Sequence, residues 1–373
     1  MILPLYGTSC IIPVSMYETI KVQLVRGRYL PPETLDKVLT DVSAGGLLKV
    51  LGHSVQNRPI PSVRLGSGPI RVLMWSQMHG NESTTTKALL DLMRGLKIKL
   101  LDSLDSLEML VIPMLNPDGA AAYTRLNANA VDLNRDALEL SQPESLVLRK
   151  AFEEFRPHFC FNLHDQRTLF GVGVRPDVAT LSLLAPAANP ERSFPENRKV
   201  AARLASLLAK ALGDEIGIGR YDDTFNMNCV GDFFQAQGVP TLLFEAGHYP
   251  GDYQRETSRY FLYRALITAL QAIQTGTFKE FTLSHYQAIP ENKKCFVDIL
   301  IRNAHILGPK YVKGQDLGIR YEERLLGDRI DFKPQIAETG KLEHLAGHIE
   351  WDLLRSEDLV AFEECVPLRT LFG

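Results

Sequence analysis

The sequence predicts an α/β protein, a mixed and mostly parallel sheet flanked by helices, followed by a small β-rich unit. Three observations carry that expectation. Apolar runs of strand length, Val72-Leu73-Met74-Trp75, Leu107 to Leu115 and Phe159 to Leu163, recur with helix-period segments between them. Each run empties into a polar turn rich in His, Asn, Asp or Glu, and open α/β sheets bind ligands beyond the carboxyl ends of their strands. Past Thr275 the pattern changes to short strand-like runs separated by Gly-containing gaps.

Length and composition fit this division. A chain of 373 residues with 45% hydrophobic content has ample core for one large α/β unit, residues 1–282, and a smaller one, residues 283–373. The net charge of −3, without a long run of one sign, argues against nucleic acid and against an anionic membrane. Five widely spaced cysteines without a Cys-x-x-Cys pair read as reduced thiols. Met1 to Met16 lacks a basic start and a small-residue cleavage site, so no signal peptide is read there and a cytoplasmic location is expected.

In order, residues 17–43 form a helical lead-in broken at Pro31-Pro32. Leu47 to Ser54 and Ile60 to Gly66 alternate around Gln56-Asn57-Arg58-Pro59, a hairpin, with His53 an ordinary strand residue. A strand at Val72 to Trp75 leads through His79-Gly80-Asn81-Glu82 into a helix with an apolar stripe of Ala88, Leu89, Leu92 and Met93, ending near Met93. The strand at Leu107 to Leu115 empties into Asn116-Pro117-Asp118-Gly119, a turn by composition. Ser141-Gln142-Pro143-Glu144 starts a helix that carries Leu148, Phe152 and Phe155 inward. Two further helices are marked by Val200, Leu204, Leu207, Leu208 and Ala211, and by Tyr260, Leu266, Leu270 and Ile273. Strands of the β-rich unit are expected at Phe296 to Ile301, Asp316 to Tyr321, Arg329 to Phe332 and His348 to Trp351. That unit's His305, His344 and His348 lack metal-ligand spacing.

Three strand ends carry the chemistry. His79 and Glu82 lie three residues apart at one, and His164 follows the strand at Phe159 to Leu163. Two imidazoles and a carboxylate suit zinc and leave a fourth tetrahedral position for water, the arrangement of a catalytic site. Glu245 closes the apolar run Gly238 to Phe244 and supplies a general base. His248, just beyond it, reads as a turn cap rather than a cleft residue.

These residues together resemble the zinc carboxypeptidases of the carboxypeptidase A/B type. The resemblance rests on His79-Gly80-Asn81-Glu82, Asn116-Pro117-Asp118-Gly119, Arg125 through Val131-Asp132-Leu133-Asn134-Arg135, Asn162-Leu163-His164-Asp165 and Phe244-Glu245-Ala246-Gly247, across roughly residues 45–275. It implies one Zn2+ per chain on His79, Glu82 and His164, with Glu245 as general base and Arg125 polarising the scissile carbonyl. It further implies that Asn134 and Arg135 hold the substrate's terminal carboxylate, and that Asp132 holds the outer N–H of His79. The expected activity is removal of a C-terminal residue from a peptide.

Two departures accompany the match. The family's mobile active-site tyrosine aligns near Thr224, with Tyr221 three residues early, while Asp222 and Asp223 read as turn residues. The position that sets side-chain preference falls at Gly231 or a neighbour, where no acid is expected to select Lys or Arg. The first departure leaves room for an alternative, an N-acyl amino acid amidohydrolase of the aspartoacylase and succinylglutamate desuccinylase type, whose members share a related ligand set and an extra β unit.

Overall fold

The computed structural model describes residues 13–43, 46–100, 104–173, 176–365, 368 and 371–372. Residues 1–12, with Cys10 and most of the segment inspected for a leader, lie outside them. Among the described residues, ten strands form the main sheet: β1 (Leu47–His53), β2 (Pro59–Gly66), β3 (Ile70–Ser76), β4 (Leu107–Ile112), β5 (Phe159–Asp165), β6 (Phe170–Val172), β7 (Asp177–Leu184), β8 (Gly217–Arg220), β9 (Thr241–Ala246) and β10 (Lys293–Lys294). Their order is β1-β2-β4-β3-β5-β9-β7-β6-β10, with β8 beside β7. The central block β4, β3, β5 and β9 is parallel, and antiparallel pairs flank it on both sides.

Helices cover both faces: α1 (Val14–Ile20), α2 (Pro32–Val42), α3 (Thr84–Lys97), α4 (Pro117–Ala122), α5 (Pro143–Phe155), α6 (Glu196–Leu212), α7 (Val230–Ala236), α8 (Glu256–Thr275) and α9 (Leu283–Gln287). The two-residue period of the strands assigns the faces. Val72, Met74, Phe161, Leu163, Leu242 and Phe244 pack with α1, α2, α3, α6 and α8. Leu73, Trp75 and Cys160 face the other way, under α5 and α7. In-register pairing of β5 with β9 sets Asn162 beside Leu243 and His164 beside Glu245. All four therefore lie on the α5–α7 face, at the carboxyl ends of the parallel block.

Several elements differ from the sequence expectation. Asn116-Pro117-Asp118-Gly119 is a helix start and not a free turn. The Asn116 side chain accepts the Gly119 N–H at 2.8 Å and Pro117 occupies the first helical position, an arrangement with the same composition as a turn. The helix α3 runs on to Lys97, and Arg94 and Lys97 place positive charge in its last turn, where the helix dipole favours it. Glu245 sits within β9 and not after it. The lead-in between α1 and α2 is irregular, yet Val22, Val25 and Leu30 are buried.

The C-terminal sheet has the order β13-β12-β11-β14, from β11 (Phe296–Arg302), β12 (Asp316–Leu326), β13 (Arg329–Gly340) and β14 (Ala346–Asp352). All four run longer than the sequence patterns, and a helix, α10 (Ser356–Glu364), packs on them through Phe362. Upstream, α9 and β10 belong to the main body: Tyr286 and Ile289 enter its core, and β10 pairs with β6. No helix among the described residues is long and apolar enough to cross a membrane. The described cysteines Cys160, Cys229, Cys295 and Cys365 are free thiols.

A buried ion pair fastens the lead-in to the body. Arg259 of α8 donates to both carboxylate oxygens of Asp91 on α3 at 2.7 Å, and both side chains are fully buried. Asp91 also accepts from the Tyr17 hydroxyl and the Val22 N–H, while Arg259 donates to the carbonyls of Val22 and Val25. Removing Asp91 leaves the buried Arg259 with only Glu256, at 3.3 Å on its own helix, and breaking a buried pair typically costs about 3–5 kcal/mol. Asp91→Ala is therefore expected to lower the urea midpoint strongly. The double variant Asp91→Leu/Arg259→Leu should lower it by less than the sum of the two single changes.

Candidate metal centre and cleft

The turn between β3 and α3 is shaped by close packing. A Cβ on Gly80 would collide with the backbone of Gly119, so the His79–Asn81 segment lies directly on the start of α4. That contact aims His79 inward, and a tight turn, closed by the Glu82 N–H donating to the His79 carbonyl at 3.0 Å, brings Glu82 back beside it. His79 Nδ1 lies 2.8 Å from Glu82 Oε1, and His164 Nδ1 lies 2.9 Å from Glu82 Oε2. The two Nδ1 atoms are 3.1 Å apart. Among the described residues, His79, Glu82 and His164 form a group that could hold a metal ion, with their donor atoms all within 4.8 Å of one another.

This donor set fits zinc. The outer nitrogen of His79, Nε2, is 3.0 Å from Asp132 Oδ1, so the ring proton belongs on that side and the Nδ1 lone pair points at Glu82. Lone pairs from His79, His164 and a carboxylate then face one another, and only a cation or a proton reconciles them. Burial lowers the proton affinity of His79, but the Glu82 and Asp132 carboxylates outweigh it and push the imidazole up to about 9. Burial opposes ionisation of Glu82, yet His79 and His164 hold its carboxyl well below the usual range. The cluster is short of positive charge.

Around it stand the other sequence-predicted residues. Asp132 holds His79 and also accepts from the Asn134 N–H at 2.9 Å, which shapes the turn at Leu133–Arg135. Arg125 donates to Asp132 Oδ2 at 3.0 Å and to Glu82 Oε1 at 3.3 Å, while its side chain stays half exposed at the cleft. Asn134 Oδ1 accepts the Val230 N–H at 3.3 Å, and Arg135 is braced by its own donation to the Asn134 carbonyl at 2.7 Å. Glu245 lines the same cleft, with its carboxyl raised by burial and by the nearby Glu82 charge. The cleft, of about 420 Å3, thus gathers His79, Glu82, Arg125, Asn134, Arg135 and Glu245, with His164 directly beneath.

Three expectations change. Tyr221, three residues from the aligned position, lines the cleft against Phe170, and the Glu245 and Glu82 charges add to burial in raising its phenol. An acid does stand beside Gly231: Asp232, its neighbour in the sequence, lines the cleft. Its Oδ2 is already engaged by the Asn226 N–H at 2.7 Å, and burial raises its carboxyl to about 6. His248 neither caps a turn nor lines the cleft. It is buried between the rings of Tyr253 and His348, because the β-rich unit packs over it. Asp222 accepts from the Thr224 N–H and hydroxyl, and Asp223 pairs with Arg198 at 2.6 Å, both in turn-stabilising roles.

Sequence reasoning missed Arg255 and Glu323. The buried guanidinium of Arg255 donates to the carbonyls of Ala246 and Gln166 at 2.8 Å each, tying together the strand ends that carry Glu245 and His164. Glu323, from β12, reaches the cleft wall and meets Arg28 at 3.0 Å. No local pattern announces either residue, since each acts through a partner far away in sequence.

A metal-ligating His-Glu-His set at the strand ends of a mixed α/β sheet, with a carboxylate beside it, defines a metallohydrolase class. Residues 34–229 match the family described as zinc carboxypeptidase, Peptidase_M14. The chain belongs to that family. It is 32% identical over 124 residues to Carboxypeptidase 2 of Trichophyton rubrum, covering 32% of this chain and 21% of that protein. It is 26% identical over 208 residues to "Probable carboxypeptidase 2" of Trichophyton verrucosum, covering 54% of this chain and 37% of that one. The chain thus spans well under half the length of these curated relatives. Among solved structures, a metallo-carboxypeptidase from Burkholderia cenocepacia superposes with a TM-score of 0.54 at 20% identity, over 67% of this chain and 70% of that one. Carboxypeptidase A from Helicoverpa armigera gives 0.54 at 18% identity, over 66% and 74%. At these identities the likeness establishes the shared fold.

Asp132→Asn keeps the shape beside His79 but removes the carboxylate that orients its ring. Zinc affinity, measured by competition with a chromogenic chelator, should fall roughly 10- to 100-fold.

Proposed function

We propose that the chain is a zinc-dependent metallocarboxypeptidase that releases the C-terminal residue of a peptide, with one Zn2+ on His79, Glu82 and His164. The observation that carries the reading is a single cleft holding three kinds of group. The ligand set lies at one end, Glu245 sits one strand over in register with His164, and Asn134 and Arg135 stand on the neighbouring turn.

Zn2+, when bound, supplies Lewis acidity that polarises a carbonyl and acidifies water. Arg135 takes the substrate's terminal carboxylate through two parallel N–H donors, a geometry that a lysine ammonium lacks. Asn134, fixed through its Oδ1 to the Val230 N–H, leaves its amide nitrogen for the same carboxylate. Glu245 removes a proton from the attacking water as the oxygen–carbon bond forms. Arg125 then stabilises the oxyanion of the tetrahedral intermediate. As the carbon–nitrogen bond breaks, Glu245 passes its proton to the leaving amine, giving a shortened peptide and a free amino acid. Burial and the Glu82 charge, which raise the Glu245 carboxyl, favour the proton-holding half of that cycle. Tyr221, on the cleft wall near both carboxylates, is placed to donate to the substrate backbone.

Glu245→Gln should lower kcat between about 10²- and 10⁴-fold while zinc content stays at one per chain. Unchanged turnover would remove Glu245 from the mechanism. Arg135→Lys should raise KM on the order of 10- to 100-fold with a smaller effect on kcat, as expected for loss of a charged hydrogen-bond pair. The assay panel includes both peptides and N-acyl amino acids. Release confined to the latter would replace the peptidase reading with the amidohydrolase one.

A further inference from the structure

Beyond the terminal-carboxylate residues, the cleft has a floor with an unmet chemical demand. Asn162 on β5 is fully buried, and neither its amide oxygen nor its amide nitrogen has a hydrogen-bond partner among the described residues. Leaving a buried amide unpaired is costly, about 1–3 kcal/mol, and natural cores rarely tolerate it without a use. Its position gives the use. Strand alternation puts Asn162 on the same face as His164, and pairing sets it beside Leu243. Above it is the start of α7, which packs close: a Cβ on Gly231 would touch Asn162 Nδ2 at 3.5 Å and press on Pro186 Cγ at 3.1 Å, so any side chain larger than glycine's would fill the space over the amide. Asn162, Leu243, Leu184, Pro186, Gly231 and Asp232 all line the cleft together with Arg135.

We infer that this recess receives the side chain of the substrate's C-terminal residue and selects an uncharged side chain that both donates and accepts hydrogen bonds, with the amides of glutamine and asparagine fitting best. The inference rests on the carboxypeptidase reading of the cleft and names the substrate class within it. An amide partner satisfies the oxygen and the nitrogen of Asn162 at once. A lysine or arginine side chain would satisfy only the oxygen, and an aliphatic one would satisfy neither. Asp232 does not reverse this choice, because its Oδ2 already accepts the Asn226 N–H and the Arg135 and Arg198 guanidiniums already stand near its charge. A site built to hydrogen-bond its ligand also rejects analogues that cannot do so far more strongly than an apolar pocket rejects a change of shape.

The test uses the zinc-loaded full chain and N-blocked dipeptides ending in Gln, Asn, Leu, Phe, Lys, Arg or Glu. The Gln and Asn substrates should show the highest kcat/KM. Asn162→Leu should lower kcat/KM for those two on the order of 10- to 100-fold while sparing or raising the Leu substrate. Because the amide has no partner in the protein, the same variant should keep its fold and raise Tm by about 2 °C. A preference for Leu, Phe, Lys or Arg, unaltered by Asn162→Leu, overturns the inference and leaves the carboxypeptidase reading standing. If no peptide is cleaved, that reading fails, and calorimetric binding of free L-glutamine, L-leucine and L-lysine to the zinc-loaded Glu245→Gln variant decides the recess separately. Selective glutamine binding, lost in Glu245→Gln/Asn162→Leu, supports the inference, and equal or absent binding rejects it.

Discussion

The site depends on a reciprocal clamp between the turn after β3 and the end of β5. The Asp165 backbone N–H donates to Glu82 Oε2 at 3.1 Å, while the Asp165 carboxylate accepts the N–H groups of Thr84 and Thr85 at 2.9 and 3.3 Å. Those two amides belong to the first turn of α3, where donors lack intrahelical partners and the dipole favours an anion. One residue past His164, therefore, the chain both caps the helix that begins just after Glu82 and orients the Glu82 side chain. Arg255 extends the tie to β9. The strand ends bearing His79–Glu82, His164 and Glu245 become one unit, with Glu82 held by a backbone N–H of β5 and by Arg125, and His79 by Asp132. Such preorganisation lets a cation bind without first ordering its ligands.

That preorganisation has an electrostatic cost, and the structure shows where it falls. Glu82, Asp132, Asp165 and Glu245 crowd the same region, and Arg125 and Arg255 offset only part of the charge. The carboxyl of Asp165 is raised by burial despite Arg255, and that of Glu245 by burial together with Glu82. A group of acids held close by their backbones is an unfavourable arrangement for an empty protein and a favourable one for a divalent ion. The same logic applies to Asn162, whose unpaired amide costs stability alone. Functional sites are where such local losses are retained.

Much of this was legible in the sequence because it is written in short-range patterns. Continuous apolar runs of strand length at Val72 to Trp75 and Phe159 to Leu163 marked the buried strands, and Pro143 marked the start of α5. The ligand residues were legible because they stand at the carboxyl ends of apolar strands, His164 near the end of β5 and His79 and Glu82 in the turn that follows β3. Where one composition serves two structures, the reading slipped: Asn116-Pro117-Asp118-Gly119 suits a turn as well as a capped helix start. Where a side chain is defined by a distant surface, no pattern existed to read. His248 was misassigned because its neighbour His348 lies a hundred residues on, in the second sheet. Asn162 stood in the open inside a recognised motif. Its parity with His164 was the available clue.

The second sheet is bound to the first by desolvated charge and not only by apolar contact. Arg28 and Glu323 meet at 3.0 Å with side-chain exposures of 6% and 9%, and the Tyr123 hydroxyl donates to the same carboxylate. Asp298 of β11 accepts the Tyr253 hydroxyl at 2.9 Å from the main body while holding the Tyr321 N–H of β12 at 2.8 Å. Removal of one sheet would leave the guanidinium of Arg28 without its carboxylate, beside Arg255 and close to the metal ligands. An uncompensated charge in that position is far more costly than an exposed apolar patch. Arg28 and Glu323 both line the cleft, so the pair that joins the two sheets is also part of the wall a substrate meets. The Arg28–Glu323 pair thus ties attachment of the second sheet, which Asp298 also fastens through Tyr253, to the shape of the cleft.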